Sequence, residues 1–350
     1  MTSPFSDNAD KRIVREQWDT PLLRHLHSEY GVRYRYCGLP GVDLIDVRLW
    51  QDMIEEVVAF EPPDESPDGR AAITSLRHNL RKFGVSGRAY WGSFEEVVLL
   101  RKDYEGTEYL QNKVITLYNL DFCDEISSPV ATQEEGKKVW RFEAIRQVLR
   151  DQHDCYRRDK APRHFILMLT VRNQMDAAKL RRFLAPSRLQ GETKTHYDAC
   201  MGLNPIPTAG SLVGTHSWAL KTLIFNCLSA YFGNPNLSAL FFPQILYQGT
   251  RKRIRVRGRT RYLPSPMLHW LVLCRFSDEE APGPDFWPAA FLTNPSVSVG
   301  TRRGCLEWSP QDGEHHNGNG APASVGWFRR HGGDISAGLS RSSTNAGHTP

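Results

Sequence analysis

Two motifs near the start of the chain have the residue types and the spacing of a nucleotide site. The turn Cys37-Gly38-Leu39-Pro40-Gly41 ends the expected strand 32–37, and Glu61 follows a short apolar segment, 56–60. Glycine lets the backbone approach a ligand because it has no Cβ, and a carboxylate about 20 residues later can accept both hydroxyls of a ribose. An ordinary Gly-Pro turn and a solvent-facing glutamate explain the same residues, so both interpretations stay open.

A third motif, Asn119-Leu120-Asp121-Phe122, stands at the end of the apolar, β-branched segment 114–120. Asp121 has the chemistry to orient or deprotonate a nucleophile, and Phe122 can stack on a planar substrate. Asp124 adds a second carboxylate three residues on. Capping of the following segment is the alternative explanation for Asp121.

A basic segment is the strongest compositional signal. The formal net charge is +5, and seven positive charges lie within eleven residues of this segment, which leaves −2 for the rest of the chain. Such a segment can neutralise the phosphates of RNA or DNA, and Tyr247 and Tyr262, which flank it, can stack on bases. A solvated hairpin whose charges protect its edges is the alternative. The basic residues are Arg251, Lys252, Arg253, Arg255, Arg257, Arg259 and Arg261.

The elements that position these motifs alternate between short apolar strands and helices. We expect strands at 32–37, 56–60, 88–91, 114–120 and 165–171, and helices at 44–53, 71–83, from 93 onward and at 138–153. This alternation predicts a parallel sheet with helices on both faces. The carboxyl ends of parallel strands lie at one edge of a sheet, so the three motifs are expected to share that edge.

The later part of the chain has a different pattern. A helix is expected at 216–232, and strands at 245–256 and 267–276 are expected to form an antiparallel hairpin joined by the basic connection. We divide the chain into an N-terminal helical extension (1–30), a main domain (31–276) and a low-complexity tail (277–350). The tail is rich in Gly and Pro, a composition typical of disorder.

This order of elements resembles that of the class I S-adenosylmethionine-dependent methyltransferases, whose seven-stranded sheet ends in such a hairpin. The resemblance covers roughly residues 31–276. It implies an α/β fold with a Rossmann-like, mainly parallel sheet, helices on both faces and a C-terminal antiparallel β-hairpin. It also implies S-adenosylmethionine as cofactor, held by Gly38, Gly41 and Glu61, with Ser93 near the adenine and Asp121 beside the transferred methyl group.

The chain departs from the family pattern at the glycine-rich turn. The acidic residue that the family places before the first glycine is absent, since Tyr36 and Cys37 stand there, and a proline interrupts the turn. Asp43 or Asp46 is a candidate for the missing charge. Ser93 also has a simpler interpretation as a helix N-cap.

The remaining patterns exclude several classes of protein. The sequence has no phosphate-binding loop, no nucleophile elbow, no zinc-binding helix and no C-x-x-C pair, so we expect no metal. No apolar run reaches the roughly 20 residues of a membrane helix, and residues 1–15 lack the apolar core of a signal peptide. We therefore expect a cytoplasmic methyltransferase with an unknown, nucleic-acid-associated substrate. The alternative is a non-catalytic module of the same fold that binds nucleic acid or a protein partner.

Overall fold

The computed structural model places most of the N-terminal half of the chain and several strands of the C-terminal half. It describes residues 9–31, 33–109, 113–122, 126, 129–134, 136–172, 237–242, 244–249, 252–256, 259–263, 266–276, 296–300 and 305–308. The expected helix at 216–232 lies outside these residues, as does Asp124.

Helices and strands alternate through the first half, as the sequence predicts. The helices are α1 (Ala9–Val14), a π-helical stretch (Arg15–Asp19), α2 (Thr20–Tyr30), α3 (Ile45–Leu49), α4 (Ala71–Lys82), α5 (Phe94–Leu100) and α6 (Arg141–Asp159). The strands are β1 (Tyr34–Gly38), β2 (Ile54–Glu61), β3 (Gly87–Trp91), β4 (Leu117–Asp121), β5 (Pro129–Ala131), β6 (Lys138–Trp140), β7 (His164–Arg172), β8 (Leu237–Phe241), β9 (Gln244–Gln248), β10 (Lys252–Val256), β11 (Arg259–Leu263), β12 (Pro266–Phe276), β13 (Ser296–Gly300) and β14 (Cys305–Trp308).

Five parallel strands form the centre of the main sheet, in the order β3-β2-β1-β4-β7. This is the 3-2-1-4-5 arrangement of a Rossmann-like sheet, in which the chain reverses direction across the sheet between β1 and β4. Strand β12 runs antiparallel beside β7, and β8 and β9 both pair antiparallel with β12. The expected fold class, with its antiparallel C-terminal part, is confirmed.

Each face of the sheet is covered by its own set of helices. Adjacent residues of a strand point to opposite faces, and accordingly Val57 and Val58 of β2 belong to two different apolar clusters. One cluster includes α5 and α6. The other includes the N-terminal segment (residues 9–30), α3 and α4. None of the helices in the described ranges is both long and apolar enough to cross a bilayer.

Three expectations from the sequence need correction. The helix expected at 138–153 begins at Arg141, because 138–140 form β6, which pairs with β5. The single strand expected at 245–256 is two strands, since β9 joins the main sheet whereas β10 pairs with β11 in a separate two-stranded sheet. Within the expected low-complexity tail, β13 pairs with β9 and β14 with β13, so residues 296–300 and 305–308 extend the main sheet, while the expected disorder of the rest of the tail stays a prediction.

Candidate functional site

The carboxyl edge of the parallel strands brings three of the predicted site residues together. Gly38, the last residue of β1, lies opposite Ala59 of β2 on one side and Asn119 of β4 on the other. Glu61 and Asp121 each lie two residues beyond those partners. Because neighbouring strands are about 4.8 Å apart, the ends of β2 and β4 flank β1 at a separation of about 10 Å. This is the point where the strand order reverses, which is where open α/β sheets bind their ligands.

The glycine at position 38 is required by the neighbouring strand. A Cβ there would overlap the backbone carbonyl oxygen of Asn119 and would come within 2.9 Å of the Tyr36 hydroxyl oxygen. The next residue, Leu39, donates its backbone N–H to that same Asn119 oxygen at 3.1 Å. The absence of a side chain at Gly38 therefore allows close packing of β1 against β4, and no cofactor is needed to explain it. Its expected role in binding a cofactor stays a prediction.

The rest of the glycine-containing turn positions Asp46. Gly41 has a φ of +65°, which a glycine adopts without strain, and its carbonyl accepts the Leu44 N–H at 3.2 Å just before α3. The first turn of α3 then places Asp46 in a buried position, where its Oδ2 accepts the side-chain amide of Asn119 at 3.0 Å. Two aspartates were candidates for the missing acidic residue. Asp46 lies at the point where the strand order reverses, whereas Asp43 is exposed.

The N-terminal segment lies against this edge and contributes charged groups to it. Lys11 of α1 forms an ion pair with Asp121, and Arg15 forms one with Asp46. Asp19 contacts His269 of β12 with 2.9 Å between its Oδ1 and the imidazole Nε2. The imidazole Nδ1 is in turn 2.8 Å from Thr170 Oγ1 on β7. We call the whole set the polar cluster: Lys11, Arg15, Asp19, Asp46, Asn119, Asp121, Thr170 and His269.

The charges of the polar cluster are balanced when His269 is protonated. Burial lowers the pKa of His269, but the charge and hydrogen bond of Asp19, followed by the charges of Asp121 and Asp46, outweigh burial and leave that pKa raised above its ordinary value. The imidazolium, Lys11 and Arg15 then oppose three carboxylates. Five of these six ionisable groups are buried and Lys11 is half-buried. Such burial costs desolvation free energy unless the groups are paired, and clusters of this kind are common at functional sites.

Glu61 differs from the other carboxylates of this edge because no described side chain or backbone group donates a hydrogen bond to it. It is only 8% exposed, at the carboxyl end of β2 and on the sheet face that carries Asn119 and Asp121. Burial, and then the charge of Asp64, raise the pKa of Glu61 to about 7. A buried carboxylate that lacks donors is costly in the folded protein, and a ligand with hydroxyl groups would supply them.

Two other predicted site residues, Ser93 and Phe122, make contacts that stabilise the fold. The Ser93 hydroxyl caps α5 by accepting the Glu96 N–H at 3.2 Å, which is the simpler of its two interpretations. Phe122 is buried in the opposite apolar cluster, where the Arg141 guanidinium lies 5.3 Å from its ring centroid. Its ring is therefore covered by protein, and the expectation that it stacks on a substrate is wrong for this arrangement.

The basic segment forms the β10–β11 hairpin. Arg253 pairs with Tyr262 and Arg255 with Thr260, while Ile254 pairs with Arg261 and Val256 with Arg259. Basic residues therefore occur on both strands of the hairpin. Arg251 and Arg257 lie outside the described residues.

Sequence reasoning missed the contribution of the N-terminal segment and of β12. Lys11, Arg15 and Asp19 have the composition of an ordinary polar helix. A usable signal existed at His269, the single histidine within the apolar run 267–274, because a histidine there must find a buried polar partner. In the described part of the chain, no group of three or more His, Cys, Asp or Glu side chains is arranged to hold a metal ion.

Comparisons with known proteins returned structures but no sequence relatives. No family model matches the chain, and no curated protein does. Among solved structures, a putative methyltransferase from Bacillus halodurans C-125 is 9% identical over 72% of this chain and 97% of its own, with a TM-score of 0.32. The methyltransferase domain of bacterial CtHen1-C is 9% identical over 75% and 99%, with a TM-score of 0.33. An O-methyltransferase from Bacillus cereus in complex with SAH is 9% identical over 77% and 91%, with a TM-score of 0.30.

At TM-scores near 0.3 these likenesses do not define the fold, which is instead established by the order and direction of the strands. The chain has a Rossmann-like α/β fold in which a reversed strand stands beside the fifth parallel strand. This strand order agrees with the Rossmann-like fold that the element order in the sequence implied, and membership of the methyltransferase family stays a prediction.

Proposed function

We propose that this protein binds S-adenosylmethionine at the carboxyl edge of its sheet and transfers the methyl group to an acceptor. The observation that supports this proposal is Glu61, a buried carboxylate without a described hydrogen-bond donor at the end of β2. In nucleotide-binding α/β folds this position receives the two hydroxyls of a ribose. Binding would satisfy both the ligand hydroxyls and the otherwise uncompensated carboxylate.

The residues at the carboxyl edge of the sheet, where the strand order reverses, have distinct roles in this proposal. Glu61 holds the ribose, and the α3 turn with Asp46 borders the same edge. Bound S-adenosylmethionine supplies an electrophilic methyl group, so the protein has only to align the acceptor and to remove its proton. In this proposal Asp121 accepts that proton, and because its Oδ2 contacts Lys11 Nζ, Lys11 has to move away first.

Calorimetry with S-adenosylmethionine and S-adenosylhomocysteine tests the proposal. The protein should bind both, and Glu61→Ala should weaken binding by about 1–3 kcal/mol, the cost of losing a charged hydrogen-bond partner. Glu65→Gln is the matched control, because Glu65 is exposed in the loop that follows Glu61. Absence of binding to folded protein would refute the proposal and would favour the alternative, a non-catalytic module of the same fold.

For the substrate, we propose that the β10–β11 hairpin binds the phosphates of RNA or DNA. The density of positive charge in 251–261 supports this, because each neutralised phosphate adds a salt-dependent increment of affinity. Replacing both Arg253 and Arg255 by glutamine should weaken binding of a single-stranded oligonucleotide and flatten its dependence on salt. The control replaces Arg81 and Lys82, which are exposed at the end of α4. An unchanged slope would mean that the hairpin takes no part in binding.

A further inference from the structure

A cavity lies at the amino edge of the sheet, away from Glu61 and the polar cluster. It has a volume of about 310 Å³ and is bordered by the first residues of β1 and β7 and by the residues that precede β4. Parallel strands place their amino ends at the edge opposite their carboxyl ends, so this cavity and the proposed cofactor site are at opposite edges. None of the roles assigned above involves it.

The walls of the cavity are mainly apolar. Leu26 of α2, Tyr34 of β1, Phe165 of β7 and Leu273 of β12 line it, and all four are buried in the apolar clusters of the two faces. Pro162 lines it as well. At roughly 30 Å³ for an atom of the size of a water molecule, the volume accommodates about ten non-hydrogen atoms. The apolar part of a small molecule therefore fits this cavity.

The charged residues that line the cavity are predominantly basic. Arg33, Arg35 and Arg163 line it, whereas Glu55 is the single acidic residue among the lining side chains. Glu55 is already paired with Arg35, with 3.3 Å between Oε1 and Nη2. Arg33 Nη2 donates to the backbone carbonyl of Ile54 at 3.0 Å, a contact that leaves its charge uncompensated. Within the described residues, Arg163 has no ion pair at all.

His164, which also lines the cavity, has a pKa that the neighbouring positive charges help to lower. Burial is the main cause that lowers the pKa of His164 to about 4, and the charges of Arg275 and Arg163 add to it. Arg275 is the direct strand partner of His164 in the β12–β7 register. The imidazole is therefore neutral at physiological pH, and the excess of positive charge belongs to the arginines.

From this combination we propose that the cavity binds a small amphipathic carboxylate. An apolar body of about seven carbons would occupy the space between Leu26, Phe165 and Leu273, and the carboxylate would lie at the mouth against the guanidinium groups of Arg33 and Arg163. Ligand pockets are commonly apolar cavities with a few polar groups that fix orientation, and guanidinium groups match the geometry of a carboxylate.

Octanoate is the probe that tests this proposal, since its ten non-hydrogen atoms match the cavity. In calorimetry we expect octanoate to bind, whereas octylamine, with an apolar chain one carbon longer and the opposite charge, should bind at least tenfold more weakly. Acetate, which lacks the chain, should also bind at least tenfold more weakly. Arg163→Gln should weaken octanoate binding about tenfold or more. Arg150→Gln is the matched control, because Arg150 is exposed on α6 and does not line the cavity.

A second variant tests the cavity itself. Val114→Phe places an aromatic ring into the space from a half-buried position that precedes β4, and it should abolish octanoate binding while the protein remains folded by circular dichroism. Equal affinities for octanoate and octylamine would overturn the proposal. Wild-type affinity in both Arg163→Gln and folded Val114→Phe would also overturn it, as would the absence of any octanoate binding.

Discussion

Replacement of Glu61 by glutamine should stabilise the protein at neutral and alkaline pH. The carboxyl group has a pKa of about 7, above its ordinary value of 4.5, because it is buried and because Asp64 lies nearby. Asp64 is held ionised, since hydrogen bonds from the Ser66 hydroxyl and from the backbone N–H groups of Ala72 and Ser66 lower its own pKa. Glutamine keeps the shape of the side chain and has no charge to bury.

The sign and size of the effect follow from proton linkage. Between pH 4.5 and about 7 the folded state binds more protons at Glu61 than the unfolded state does, so the free energy of unfolding falls as pH rises through this range. At about 1.36 kcal/mol for each pKa unit, the free energy of unfolding falls by on the order of 3 kcal/mol in total between the ordinary and the raised pKa of Glu61. The glutamine variant has no carboxylate to bury and avoids this loss. Its free energy of unfolding should therefore exceed that of the wild type by about the same amount at pH 8, with little difference at pH 4.5.

Urea unfolding of both proteins at half-unit steps from pH 4.5 to pH 8.5 measures the difference directly. Glu65→Gln serves as the control, because an exposed carboxyl four residues away should show no such pH dependence. The reasoning is refuted if the difference between Glu61→Gln and wild type does not grow with pH. It is refuted equally if the wild type is the more stable protein at pH 8.

Three further substitutions have definite expected outcomes. Gly38→Ala forces a Cβ onto the carbonyl of Asn119 in the middle of the sheet and should cost about 1–3 kcal/mol in urea unfolding, and a neutral result would contradict the packing described for β1 and β4. Ser93→Ala removes the cap of α5 and should cost about 1 kcal/mol by the same measurement; no loss would mean that water replaces the cap. Asp19→Asn should bring the pKa of His269 down, as followed by NMR titration. Because a raised histidine pKa adds stability that is complete below its ordinary pKa and lost as pH rises through the raised one, this variant should be more harmful at pH 6 than at pH 9.

The central sheet is predictable from sequence because strands β2, β4 and β7 contain apolar runs that end at a polar residue. The segment 165–171 and the observed His164–Arg172 nearly coincide, and the strand ending at Glu61 was expected one residue short of that glutamate. The short strand Lys138–Trp140 was assigned to a helix instead. Three residues hold too little periodicity to distinguish the two structures, and the pairing with 129–131 that decides the outcome is a tertiary contact.

The sequence predicts which edge of the sheet carries the site, but it does not predict which side chains contact each other there. Parallel strands fix which ends lie together, which is why Glu61 and Asp121 fall on one edge as expected. The partners of those residues come from far along the chain, since Lys11 and Asp121 are brought together only when the N-terminal segment packs on the sheet. Helical periodicity shows that this segment has an apolar face, and it carries no information on where its charged residues will find partners.

The arrangement of charges makes Glu61, rather than Asp121, the residue that discriminates best between the two functions considered. Asp121 has Lys11 as an ionic partner, so a stabilising role for the N-terminal segment explains its burial whether or not the protein is an enzyme. Glu61 has no described donor, and its raised pKa shows that the fold bears an electrostatic cost there. A non-catalytic module would gain stability by replacing it with a neutral residue, whereas a cofactor-binding protein requires a carboxylate to receive the ribose. Stabilisation by Glu61→Gln together with loss of cofactor binding is therefore the combined result that only the enzyme hypothesis predicts.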